Sequence, residues 1–119
     1  MTNQLEGYAE DLLITALEGG SNYWYYLPDL SMIERRSGDP LSIAIFNGVW
    51  SGGKIVPVHD NEERDNALGN LTRESMEGAF TLMRQTHPRH YADIYSGNVD
   101  AETADVWFQL AVMREVIYG

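Results

Sequence analysis

From Asp100 to Tyr118 the chain reads DAETADVWFQLAVMREVIY, and its apolar residues leave almost no side for water. Asp100 is a good helix cap, because its carboxylate accepts the free amide hydrogens of the first turn. Beyond it Ala104, Val106, Trp107, Phe108, Leu110, Ala111, Val112, Val116 and Ile117 cover most of the circumference, and the polar stripe is confined to Glu102, Asp105 and Gln109. A helix apolar over most of its surface has to be central, with the other elements packed around it. The 119 residues suffice for one domain spanning 1–119, which buries roughly two thirds of its unfolded surface on folding.

The remaining elements are read by period and punctuation. Residues 8–18 place Ala9, Leu12, Leu13, Ala16 and Leu17 at helical spacing, and Gly19-Gly20 supplies the left-handed conformation that ends helices. Ser21 is placed to cap a further short helix through Leu27, with Pro28 as its stop. Residues 41–58 are rich in β-formers on both sides of Ser51-Gly52-Gly53, which predicts a hairpin there. Pro57 cannot donate to a ladder, so the second strand is expected at an edge or with one side free. After a polar connection, Thr72 caps a helix through about Gln85, with Leu71 and Met76 at staple spacing and Met76, Ala79, Phe80 and Met83 as the inward stripe. His87-Pro88 interrupts it, residues 89–95 form a short helix, and Ser96-Gly97-Asn98 turns the chain into the closing helix, which is expected to run to about Tyr118. The fold class is α+β: a small, mainly helical domain with a β-hairpin or small antiparallel sheet.

Charge and composition exclude several chemistries. Eight basic against eighteen acidic residues give a net charge of −10, and each half of the chain contributes −5, so the excess is spread rather than held in a tail. Lys54 is the only lysine, which leaves no basic stripe for a phosphate backbone and argues against direct nucleic-acid binding. An acidic surface serves solubility or meets a basic partner, in the manner of proteins that imitate DNA. With no cysteine, disulfides, thiol catalysis and thiolate metal sites are excluded. The opening MTNQLEGYAEDLL has no basic region or hydrophobic signal core, and no apolar run approaches membrane-spanning length, so a cytoplasmic protein with no membrane partner is expected.

Four candidate sites carry the chemistry on offer. Gly48-Val49-Trp50-Ser51-Gly52-Gly53-Lys54 fits G-x-x-x-x-G-K, but Ile55 stands where a magnesium-binding hydroxyl belongs, and IVPV reads as a strand where a helix should cradle phosphate. His87, His90 and Asp93 are spaced three apart, which on continuous helix would bring them to one side; Pro88 disturbs that run, and surface or capping roles are expected, with no metal and no cofactor. Asp100 and Glu102 are accounted for by the helix dipole, whereas Asp105, one turn in and beside Trp107 and Phe108, is a candidate functional carboxylate. The stretch EGGSNYWYYLP sets Tyr23, Trp24, Tyr25 and Tyr26 in a row after Asn22. Such rings either pack as a structural corner or stack on a flat ligand, and four in a row cannot all be buried in one direction. No serine, histidine and acid arrangement has a nucleophile context, so no enzyme activity is expected.

With EGGSNYW at one end and DAETADVWFQLAVMREVIYG at the other, the chain resembles a family of small proteins of phages, prophages and other mobile elements. The resemblance extends over most of the chain, with a Gly-containing hairpin and HPRHYADI-like residues between the two terminal motifs. Where the family pattern has a glycine in the closing helix, as in GEVxYG, this chain has Met113-Arg114-Glu115, which alters a close packing contact. The family carries no catalytic assignment, and the resemblance implies an accessory protein acting in a bacterial host cell. Together with the charge it leads to an expected function: an acidic, non-enzymatic inhibitor of a bacterial defence system, anti-CRISPR-like, that presents its acids to a host protein with a basic surface. The alternative is a protein that sequesters a nucleotide signal, using Asn22 and the aromatic corner as its ligand site. Exposed aromatics also offer a self-interface for a homo-oligomer.

Overall fold

The structure, a computed structural model describing residues 4–119, is built around the closing helix. In chain order the elements are α1 (Gln4–Thr15), which runs into a π-helical segment (Ala16–Gly20), β1 (Tyr25–Tyr26), α2 (Leu41–Trp50), β2 (Val56–Asp60), β3 (Ala67–Leu71), α3 (Arg73–Thr86), α4 (Pro88–Ser96) and α5 (Ala101–Met113). The three strands form one antiparallel sheet in the order β1-β2-β3. The architecture is that of a small α+β domain with one apolar core.

Every residue of α5 from Thr103 to Val112 is buried, and α1, α3, α4 and β3 all pack against it. The sheet comes so close that a Cβ on Gly69 of β3 would stand 2.1 Å from the carbonyl oxygen of Val112. A glycine is the one residue that allows this approach. The Trp107 indole N–H is buried and, among the described residues, meets no protein acceptor.

The helix is shorter than its apolar pattern suggests. It stops at Met113 because Arg114 turns left-handed, at φ 69° and ψ 3°, while its N–H still reaches the carbonyl of Leu110. Residues 115–119 then leave the helix and fold back. The Arg114 guanidinium lies over Gly78 of α3, with Nη1 3.2 Å from where a Cβ would be. A left-handed non-glycine residue carries roughly 1 kcal/mol of strain. Arg114→Gly is therefore expected to stabilise the fold by about 0.5–1 kcal/mol, read as a rise in the urea midpoint at unchanged slope; a fall in the midpoint would show that the packing over Gly78 outweighs the strain.

The predicted hairpin over 41–58 is a misreading in its first half. Pro40 is extended, at φ −60° and ψ 147°, and starts α2 directly behind it. Ser42, Ile45, Phe46 and Val49, at i, i+3, i+4 and i+7, are all buried. That helical period outweighs the modest β preference of Ile, Phe and Val, which amounts to a few tenths of a kcal/mol per residue. Ser51-Gly52-Gly53 ends this helix: the amides of Ser51 and Gly52 reach the carbonyl of Asn47, and Gly53 has φ 67°. The hairpin lies one step later, with β2 and β3 joined by residues 61–66, part of the stretch that reads as a polar connection. Pro57 sits opposite Asn70 of β3 but has no β1 residue opposite it, because β1 reaches only His59 and Asp60. One side of β2 is thus free at Pro57, as its missing N–H requires.

The start of α3 follows the expected cap. Thr72 Oγ1 accepts from the amide of Ser75 at 3.0 Å, and Ser75 Oγ accepts from the amide of Thr72 at 2.9 Å, a reciprocal capping box. Leu71, Met76, Ala79, Phe80 and Met83 are buried as the stripe requires. α4 begins at Pro88, where the missing N–H is harmless, and ends at Gly97, left-handed at φ 80°.

Candidate functional site

The corner after α1 and the first turns of α5 form one network. Gly19 and Gly20 do not adopt the expected left-handed conformation; α1 instead widens into the π-helical segment, which ends as the amide of Ser21 reaches the carbonyl of Ala16 at 2.9 Å. Gly20 is needed for another reason, since a Cβ there would meet the carbonyl of Ala101 at 2.7 Å. That close approach sets the corner against the start of α5.

Ser21 does not cap a helix through Leu27. Residues 21–24 form a turn, with the amide of Trp24 on the carbonyl of Ser21, and Tyr25-Tyr26 pair with Asp60 and His59 as β1. The Ser21 hydroxyl donates instead to Asp105 Oδ1 at 2.7 Å, and the Trp24 indole N–H donates to the same oxygen at 2.7 Å. The other oxygen accepts from the Tyr23 hydroxyl and from Gln109 Nε2 at 3.2 Å. Asp105, buried on α5, therefore has both oxygens occupied by four donors. Charge-assisted bonds of this kind are about twice as strong as neutral ones.

Gln109, one turn further along α5 and fully buried, ties the network to the end of the chain. Its Oε1 accepts from the amides of Ile117 and Tyr118, at 2.8 and 2.9 Å, and its Nε2 donates to the carbonyl of Tyr118 at 3.0 Å. The tail so held lays the Tyr118 ring on Trp24, with centroids 5.4 Å apart and planes within 10°. Phe108 packs against Trp24 at 5.3 Å. The Tyr118 hydroxyl donates to Asp60 Oδ2 at 2.9 Å, which links the tail to the β2–β3 turn.

Of the six residues singled out in the sequence, Tyr23, Trp24 and Asp105 are brought together. Trp24 is 2% exposed, packed against protein rings. Tyr25 and Tyr26, adjacent in β1, point to opposite sides as strand residues do. Tyr25 meets Phe108 edge-on and donates to the carbonyl of Leu17, one of those left open at the end of the first helix. Tyr26 lies under the Arg64 guanidinium, 4.0 Å from the ring centroid. Asn22 is exposed on the turn. Ser21, Gln109 and Tyr118 were missed as members; the i, i+4 pair Asp105 and Gln109 in the narrow polar stripe was the available signal.

The outward face of this network combines aromatic and acidic groups. Tyr23 is 49% exposed and Ile117 56% exposed. Beside them Asp60 ends β2 and the β2–β3 turn carries Glu62, Glu63 and Asp65, with Arg64 as its single base. Asp60 Oδ1 accepts from the amides of Glu62 and Glu63, at 2.7 and 3.2 Å, which holds its carboxyl below the usual range, with the Tyr118 hydroxyl contributing. Burial raises the Tyr118 phenol, and the bond to Asp60 and the fields of Asp60, Glu62 and Glu63 raise it further.

Tyr23 is pushed up to about 12, first by burial and then by its bond to Asp105. A raised phenol favours the neutral form in the folded state, so its contribution to stability is complete below pH about 10 and is lost as pH rises through about 12. Phenolate formation followed by ultraviolet absorbance is expected to place Tyr23 in the late step near pH 12, and Tyr23→Phe to remove amplitude from that step. Amplitude lost from the ordinary step near pH 10 would contradict the bond.

The histidines do not converge on a metal-binding arrangement. His87 Nδ1 lies 2.8 Å from Thr86 Oγ1, His90 Nδ1 2.8 Å from Thr103 Oγ1, and their ring centroids are 6.4 Å apart. Among the described residues no three His, Asp or Glu side chains are placed to share a metal ion, and no helix is long and apolar enough to cross a membrane. Asp100 caps α5 through the amide of Thr103 at 2.8 Å, which lowers its carboxyl. Comparison with protein-family models, curated proteins and solved structures finds no match to this chain.

Proposed function

We propose that the chain is a non-enzymatic binding protein that presents the acidic β2–β3 turn, with Tyr23 and Ile117 beside it, to a basic surface on a host protein. The observation that carries this reading is the turn itself. Three acids, Glu62, Glu63 and Asp65, face one base there, and that base, Arg64, is laid over Tyr26 and bonded to Asn61. Asp60 and Tyr118 fix the base of the turn, so the acids are presented on a braced element rather than a floppy one. Acids steer association and select partners, while exposed aromatic and aliphatic groups supply area to bury.

The phage-type resemblance favours a partner class: a bacterial defence nuclease, such as a CRISPR effector, whose nucleic-acid channel is basic. The test is binding and inhibition against a panel of purified defence nucleases, using the wild type and the triple variant Glu62→Lys, Glu63→Lys, Asp65→Lys. The expected result is binding that weakens as salt rises and falls at least about tenfold in the triple variant. Binding that ignores both salt and charge reversal would remove the acidic turn from the interface.

A further inference from the structure

A cavity of about 480 Å³ opens on the side of α2 that does not face the core, and none of its lining residues belongs to the acidic turn or the aromatic corner. One wall is α2 and the turn after it; the other is the loop before α2. Both walls end in ordered glycine turns. In the loop, Gly38 has φ 89°, the amide of Asp39 reaches the carbonyl of Arg36 at 3.0 Å, and Arg35 Nε donates to the carbonyl of Asp39 at 2.9 Å. That turn sets Arg36 at the cavity.

After α2, Gly52 packs where a Cβ would stand 2.6 Å from the carbonyl of Gly48, and Gly53 is left-handed, so the chain doubles back and the amide of Lys54 bonds to Gly48 at 3.0 Å. The stem of Lys54 then runs alongside Gly48, with Cγ 3.8 Å from where a Cβ on Gly48 would be. The chain's only lysine is delivered to the cavity by this turn. It is also why G-x-x-x-x-G-K here is no nucleotide loop: the backbone closes on its own carbonyl, and the helix precedes the glycines instead of following them.

Two cations, Arg36 and Lys54, thus line one cavity of a chain with net charge −10. Among the described residues neither forms an ion pair, although Glu34 and Asp39 line the same cavity. Cations that could have paired with these acids are available to an external oxyanion. The acids, with Asn47 and Ser51, offer acceptors for hydroxyl groups. The lining contains no aromatic ring, so nothing there stacks on a base. The volume is within the range of about 300–1,000 Å³ usual for small-molecule sites.

We infer that this cavity binds a small phosphorylated sugar or polyol, its phosphate between Arg36 and Lys54 and its hydroxyls on Glu34, Asp39, Asn47 and Ser51. Calorimetric titration of the full chain with ribose 5-phosphate tests it, with ribose, inorganic phosphate and adenosine monophosphate as contrasts. Ribose 5-phosphate is expected to bind more tightly than ribose or phosphate alone, and at least as tightly as the nucleotide. Lys54→Ala and Arg36→Ala, both at exposed positions, are each expected to weaken it about tenfold or more, while Arg84→Ala, on an exposed arginine outside the cavity, leaves it unchanged. No binding at millimolar ribose 5-phosphate, an equal response to inorganic phosphate, tighter binding of the nucleotide, or equal weakening by Arg84→Ala would each overturn the assignment.

Discussion

Replacing Asp105 with alanine is expected to destabilise the fold by about 4 kcal/mol, a fall in melting temperature on the order of 15 °C. The estimate follows from what the substitution strands. Tyr23 is half exposed and turns to water, and Gln109 keeps its bond to the carbonyl of Tyr118. The Ser21 hydroxyl and the Trp24 indole N–H, both on buried residues, have no other acceptor and lose their bonds outright. Each stranded donor costs about 1–3 kcal/mol, more where the lost partner was charged. Asp105→Asn keeps the shape but turns one acceptor into a donor that faces two donors, and is expected to cost about half as much. A cycle with Ser21→Ala separates the network from mere loss of volume: Ser21→Ala should cost less in the Asp105→Ala background than in the wild type, because its partner is already gone. Additive losses, or a melting temperature within a few degrees of wild type, would show that the carboxylate is not the hub.

The pattern of what the sequence revealed follows from range. The cap at Thr72, the stripe on α3 and the centrality of α5 are local or periodic, and each was legible. The fate of Ser21 was not, because a serine after a glycine pair has two uses for its oxygen. It can cap the next turn, or it can donate to a distant acceptor, here a carboxylate 84 positions away. Nothing within a few residues of Ser21 distinguishes them. The polar stripe of α5 was seen correctly as Glu102, Asp105 and Gln109 but reads naturally as the wet side, whereas the structure buries Asp105 and Gln109 and leaves Glu102 exposed. On α2 the two local signals conflict: Ile43, Ile45, Phe46 and Val49 favour strand by composition, while burial at Ser42, Ile45, Phe46 and Val49 follows the helical period.

The corner EGGSNYW and the closing stretch from Asp100 to Tyr118 are the two halves of one contact. Gly20 meets Ala101, Ser21, Tyr23 and Trp24 meet Asp105, and Tyr118 covers Trp24. The exposed residues at its margin are Asn22, Tyr23, Ile117 and the acids Glu62, Glu63 and Asp65 of the β2–β3 turn.

Trp24→Ala is accordingly expected to unfold much of the population rather than to report on binding. A buried Trp→Ala change costs about 3–5 kcal/mol through the cavity alone. Here it also removes the platform on which Tyr118 lies and the donor to Asp105. Stabilities of small domains are about 5–15 kcal/mol, so a loss of this size removes most or all of the margin. It should show a broadened, low-temperature melt and weakened near-ultraviolet dichroism. Trp24→Phe keeps a ring between Tyr118 and Phe108 and loses mainly the indole bond, an expected cost of about 1–2 kcal/mol. If Trp24→Ala instead melts like the wild type, the indole is not part of the core, and the aromatic corner returns as a stacking site. If the fold is lost as expected, the corner's part in recognition has to be read from Tyr23→Phe and Ile117→Ala, which alter its exposed margin and leave the buried rings in place.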